Sequence, residues 1–164
     1  VSPAGRLGLH NPPENVLVPN TRRIFTLHGG QARGPLIGGN LTLVQALIGT
    51  PYFPSLDGAI LFLEDVGEDV YRIDRMLAHL RLVGAFDKLA GVAIGRFTEM
   101  RQGGDGGARG FDEVLHTYFG DLGIPVAVGF PFGHIDDQWS LPIGVQAVLD
   151  ADAGTLSLLE AAVR

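Results

Sequence analysis

Two carboxylates stand directly behind an apolar run: Glu64 and Asp65 follow residues 59–63 (Ala-Ile-Leu-Phe-Leu), with Glu68 and Asp69 close behind. A run of that kind suits a strand covered on both faces. In open α/β sheets, the rim past such a strand end is where ligands sit. A carboxylate buried there needs a partner. The second candidate is His134, between Gly133 and the acid pair Asp136 and Asp137, in a loop that follows another short apolar run. A carboxylate and an imidazole are two members of a hydrolytic triad, in which the acid orients the ring and the ring carries the proton. The third member is not evident. Cysteine is absent, no Gly-x-Ser-x-Gly turn occurs, and Ser2, Ser55, Ser140 and Ser157 fall in linker, turn or strand contexts.

Other residues have plainer roles. Glu68 and Asp69 precede a helical pattern, where acids complement the helix dipole and cap its first turn. His79 and His116 lie inside helical patterns, His10 in the leading segment and His28 at a strand end. His134 with Asp136 and Asp137 lacks the second histidine or third clustered ligand of a transition-metal site, so no metal is expected. With no Gly-Lys-Ser/Thr loop, no phosphate-bearing cofactor is expected either.

The elements that must hold these residues alternate. A strand over 24–28 ends at Gly29-Gly30, and residues 36–40 lead into a helix over 41–48 with Asn40 as N-cap and Gly49 and Pro51 as its stop. The strand at 59–63 is followed by an amphipathic helix over 71–83, closed by Gly84. A second buried-type strand spans 89–94, a glycine-rich loop 103–107, a helix 111–122 and a short strand 125–128. Residues 141–150 and 155–159 form a terminal hairpin about Asp152-Ala153-Gly154. The pattern is that of an α/β domain with a mixed sheet, flanking helices and a C-terminal hairpin.

Composition narrows the function classes. The chain has 164 residues, of which 46% are hydrophobic, and carries a net charge of −6. That length suits one domain or two small ones. An acidic balance with no basic run offers nothing to a phosphate backbone or an anionic membrane, so neither nucleic acid nor membrane is expected as a partner. No apolar run approaches the roughly 20 residues of a membrane span. Residues 1–23, with Pro3, Pro12, Pro13 and Pro19, read as a linker, residues 24–164 as the domain, and the chain as a piece of a longer protein.

Four motifs stand in order: Gly38-Gly39-Asn40-Leu41, the acidic run at 61–68 continuing into 71–77, Gly129-Phe130-Pro131-Phe132-Gly133-His134, and Leu141-Pro142-Ile143-Gly144. Together, over residues 34–150, they resemble the C-terminal half of the LD-carboxypeptidase family, the muramoyltetrapeptide carboxypeptidases and their microcin-immunity relatives. The resemblance implies a domain of the swivelling β/β/α type and a cytoplasmic, dimeric serine peptidase that removes the terminal D-alanine from murein tetrapeptide in peptidoglycan recycling. It implies Glu64 as the acid and His134 as the base of a Ser-Glu-His triad, with Glu68 as the alternative acid. The serine would come from an N-terminal domain of the same protein, so this chain alone is expected to be inactive. Two other readings stay open: a microcin-immunity-like hydrolase of peptidyl-nucleotides, and a non-catalytic peptide-binding or dimerisation module.

Overall fold

The structure, a computed structural model, describes residues 23–101 and 110–162. Its strands are β1 (Phe25–His28), β2 (Gln31–Asn40), β3 (Ile60–Val66), β4 (Gly91–Thr98), β5 (Val126–Val128), β6 (Gln146–Asp150) and β7 (Thr155–Leu158). Its helices are α1 (Leu41–Ala46), α2 (Val70–Leu82) and α3 (Phe111–Phe119). The seven strands form one sheet in the order β1-β5-β4-β3-β2-β6-β7. β2, β3, β4 and β5 run parallel, while β1 and the β6–β7 hairpin are antiparallel to their neighbours.

The apolar run at the head of β3 is buried on both faces, and the two-residue period of a strand sorts its side chains. Leu61 and Leu63 enter a core with Ile73, Leu77 and Leu80 of α2 and Leu115 and Phe119 of α3. Ile60 and Phe62 enter a second core with Phe130, Phe132, Leu149 and Leu156. The second core exists because the sheet curls over itself. A β-carbon placed on Gly91 of β4 would lie 2.9 Å from Ala32 Cβ and 3.2 Å from Leu149 Cδ2, so β2 and β6 lie across the start of β4. The curl is tied at its far end: Thr26 Oγ1 donates to the Ala151 carbonyl at 2.6 Å, and Ala151 N–H donates to the Gly30 carbonyl at 2.9 Å. Helices, parallel strands and returning antiparallel strands therefore stack in three layers, an α/β fold with a mixed sheet and a closing hairpin.

β2 is the element the sequence pattern does not announce. Its ten residues include Gly34, Pro35, Gly38 and Gly39, which ordinarily mark turns. The strand changes partner midway: Gln31 to Pro35 pair with β6, and Leu36 to Asn40 pair with β3. Leu36 N–H points to the β6 side, onto the Val145 carbonyl, so the nitrogen of Pro35 faces the other way, before pairing with β3 begins. The glycines accommodate close backbone approach, because a β-carbon on Gly34 would strike the Gly58 carbonyl and one on Gly38 the Phe62 carbonyl.

Several boundaries move. The helix expected over 41–48 ends at Ala46, with Leu47 as its cap and Gly49 at φ 83°. The helix expected to reach residue 122 stops at Phe119, where Gly120 caps it. The strand expected over 141–150 begins only at Gln146, since Gly144 adopts φ 84° and turns the chain. β4 runs on to Thr98 past a bulge, which shows as the register step from Leu63–Ile94 to Asp65–Phe97. The expected linker, apart from Arg23, and the loop at 103–107 lie outside the described residues, as do Ser2 and His10.

Candidate active site

The alternation along β3 sends adjacent acids to opposite faces. Asp65 points with Leu61 and Leu63 toward the helices and is 3% exposed. Its carboxylate accepts from Asn40 Nδ2 at 2.7 Å, Thr42 N–H at 3.0 Å, Thr42 Oγ1 at 2.9 Å and Val66 N–H at 2.8 Å. Asn40 also caps α1 by accepting from Leu43 N–H at 3.1 Å, as its position before the helix leads one to expect. Asp65 thus binds the start of α1 to the end of β3, a structural use of a buried carboxylate.

Glu64 points with Ile60 and Phe62 to the other face, and it is buried. His134 meets it there: Nδ1 lies 2.8 Å from Glu64 Oε2. That contact places the proton on Nδ1 and leaves Nε2 as the ring's acceptor. The imidazole is 54% exposed while the carboxylate side chain is 11% exposed, so a buried acid holds a ring that solvent or a ligand can reach.

The loop carrying His134 is pinned along its length. Phe130 N–H donates to the Ile94 carbonyl at 3.1 Å, Arg96 N–H to the Phe132 carbonyl at 2.9 Å, and Trp139 N–H to the Pro131 carbonyl at 2.7 Å. Gly95, inside the β4 bulge, lets the loop cross: a β-carbon there would strike the ring and carbonyl of Phe132. Phe132 in turn packs edge-on against Phe62 at 5.7 Å between ring centroids, and Trp139 lies against Phe130 at 6.1 Å. The bulge, the aromatic cluster and the glycine before His134 together fix where the imidazole stands.

Glu64 and His134 line a cavity of about 570 Å³, walled by Gly38 and Gly39 of β2, Phe62, Phe132, Trp139 and the turn carrying Leu141 and Ile143. That volume lies in the range of roughly 300–1,000 Å³ typical of small-molecule sites. Asp136 lines it too, whereas Ser55, Ser140 and Ser157 do not. Trp139, at 5% exposure, carries no site signal in the sequence, and Gly38 and Gly39 stand out there only as part of a motif; all three become walls when the sheet curls.

Glu68 lies on the helix side. Its nearest polar neighbours are Thr42 Oγ1 at 3.5 Å and Arg72 NH1 at 3.6 Å, in a groove away from His134. The Arg72 guanidinium is held above its ordinary value, chiefly by its bond to the Tyr71 hydroxyl and then by Glu68 and Asp69. Asp69 occupies the N-cap position of α2 but makes no side-chain cap bond; it pairs with Arg72 at 3.7 Å. His79 contacts Gln45 Nε2 at 2.8 Å across α1 and α2.

Residues 33–149 match the LD-carboxypeptidase C-terminal domain. The chain belongs to the LD-carboxypeptidase family. A Synechocystis sp. protein named as a carboxypeptidase is 46% identical over 130 residues, covering 79% of this chain and 43% of its own length. The crystal structure of muramoyltetrapeptide carboxypeptidase from Oxalobacter formigenes superposes with a TM-score of 0.69 at 35% identity, over 84% of this chain and 49% of that one. The structure of MccF in complex with glutamyl sulfamoyl guanosine gives 0.78 at 28% identity, over 96% and 48%. The chain thus spans about half the length of the relatives it matches. Glu64, His134 and every cavity residue named above fall inside the matched region.

Proposed function

We propose that Glu64 and His134 are the acid and base of a serine-type carboxypeptidase that releases the terminal D-alanine of a murein tetrapeptide, with the serine supplied by a part of the protein outside this chain. The 2.8 Å bond between His134 Nδ1 and Glu64 Oε2, at the wall of a cavity, carries the reading. Nε2 takes the serine proton as the hydroxyl attacks the scissile carbonyl and returns it to the departing amine. Glu64 holds the tautomer and stabilises the imidazolium, and its burial strengthens that attraction.

The family resemblance also carries a cytoplasmic location in peptidoglycan recycling and a homodimer. Leu43 of α1 and Leu82 of α2, exposed at 66% and 85%, are apolar side chains available to such an interface. No described helix is long and apolar enough to cross a membrane.

The test is D-alanine release from murein tetrapeptide by the whole protein, with this chain alone as the control. Turnover by the whole protein and none by the chain is expected; turnover by the chain alone would place the nucleophile within it. A second reading draws on the wider superposition with MccF, which extends over 96% of the chain. It is a hydrolase of aminoacyl or peptidyl nucleotides. A glutamyl sulfamoyl nucleoside offered in competition separates the two: cleavage of it in preference to the tetrapeptide favours the second.

A further inference from the structure

The partner change in β2 leaves a strand edge open inside the cavity. β6 follows β2 only as far as Pro35, with Leu36 held beyond it by Val145 and Gly144. From there to Asn40 the strand is paired with β3 on one side, and β6 has turned away on the other. Main-chain polar groups alternate along a strand, so Gly38 presents its N–H and C=O to the same side as Leu36, away from β3. An independent observation agrees. The β-carbon position of Gly38 points at the Phe62 carbonyl, so the α-carbon, not the amide, faces β3 at this residue. Gly38 and Gly39 both line the cavity that holds His134, and a β-carbon on Gly39 would meet nothing within 4 Å. Glycine in a strand often marks a place where another backbone approaches closely.

We propose that the open edge of β2 at Gly38 binds the main chain of the acyl-donor peptide as an added strand, laying its scissile bond against His134. Gly38 N–H donates to a peptide carbonyl, and Gly38 C=O accepts a peptide N–H, the geometry of strand addition to a sheet edge. Ile143, 69% exposed on the turn that also lines the cavity, offers apolar contact to one face of the added strand. Recognition through the main chain suits a substrate whose side chains and chirality are unusual, because the edge reads only amides and carbonyls. This rests on the proposed carboxypeptidase reading, whose substrate is a short peptide.

The test is titration of the isotope-labelled whole protein, its nucleophilic serine replaced by alanine to prevent turnover, with murein tetrapeptide and with a set of analogues, each having one amide N–H replaced by an ester oxygen. The Gly38 amide proton should move downfield and exchange more slowly as the His134 ring resonances shift. One ester position should weaken binding by roughly three- to tenfold, the worth of one hydrogen bond, with the others near neutral. If the His134 resonances respond while Gly38 does not, or no ester position matters, strand addition is wrong and the carboxypeptidase reading stands. If neither residue responds to the peptide at millimolar concentration, the reading fails and takes the strand-addition proposal with it.

Discussion

Gly133 lies so close to Glu64 that a β-carbon added to it would sit 3.0 Å from Oε2 and 3.1 Å from Cβ of the glutamate, and 2.8 Å from the Arg96 carbonyl oxygen. The residue before the imidazole is therefore packed against the carboxylate that the imidazole binds. Gly133 also adopts φ 121°, where a side chain is strained. Gly133→Ala should lose about 1–3 kcal/mol of stability from overpacking alone, and the shift of the loop should lengthen the Glu64–His134 bond. Denaturant unfolding measures the first effect. The chemical shift of the His134 Nδ1 proton measures the second, and an unchanged shift would mean that the loop relaxes elsewhere.

The roles of the two acids near His134 separate by substitution in the whole protein. Glu64→Gln and His134→Ala should each remove several powers of ten from kcat with KM little changed, and the double variant should lose little more than the worse single one. Glu68→Gln should stay within a few-fold of the parent, because Glu68 faces Thr42 and Arg72 on the helix side. Loss of activity in Glu68→Gln with retention in Glu64→Gln would move the acid to Glu68.

Asp65 should matter for stability rather than for proton transfer. Asp65→Ala leaves the donors of Asn40, Thr42 and Val66 without their acceptor in a buried place. Hydrogen bonds to a charged group are worth about 1.5–3 kcal/mol each in net terms and are not additive within one cluster. A loss of roughly 3 kcal/mol by denaturant unfolding is expected, well beyond the effect of breaking the solvent-exposed pair of Lys88 and Asp57. Near-parental stability in Asp65→Ala would show that water replaces the carboxylate.

Trp139→Ala should destabilise by about 3–5 kcal/mol, the range for removing a large buried aromatic side chain, since it is 5% exposed and packed against Phe130. It should also raise KM for the peptide in the whole protein more than it lowers kcat, because Trp139 lines the cavity. An effect confined to kcat would make it a support for His134 instead.

The uneven legibility of the sequence has physical causes. β3, α2 and β4 were readable because each carries an uninterrupted apolar run or a helical stripe, patterns that burial imposes locally. The opposite fates of Glu64 and Asp65 follow from strand alternation, but which of the two meets His134 depends on where its loop returns. The pairing of those two residues was legible only through resemblance to a family. β2 was hidden because its glycines and proline answer to close neighbours that arrive from distant parts of the chain: Gly58, Phe62 and Val145. Trp139, Gly38 and Gly39 were hidden as cavity walls for the same reason.

The two halves of β2 also differ in how soon they can find their partners. Its second half meets β3 within a short stretch of chain, Leu36 pairing with Ile60, whereas its first half pairs Gln31 with Asp150 near the far end. Ladders of high contact order form slowly, because a long loop must close before any contact rewards it. On a ribosome, the parallel strands and their helices can assemble while the stretch from Gln31 to Pro35 waits with an exposed edge. Such an edge invites pairing with other chains until β6 arrives to cover it. The Gly34-Pro35 step, where the finished fold changes partners, thus also separates the half of β2 that can pair early from the half that must wait.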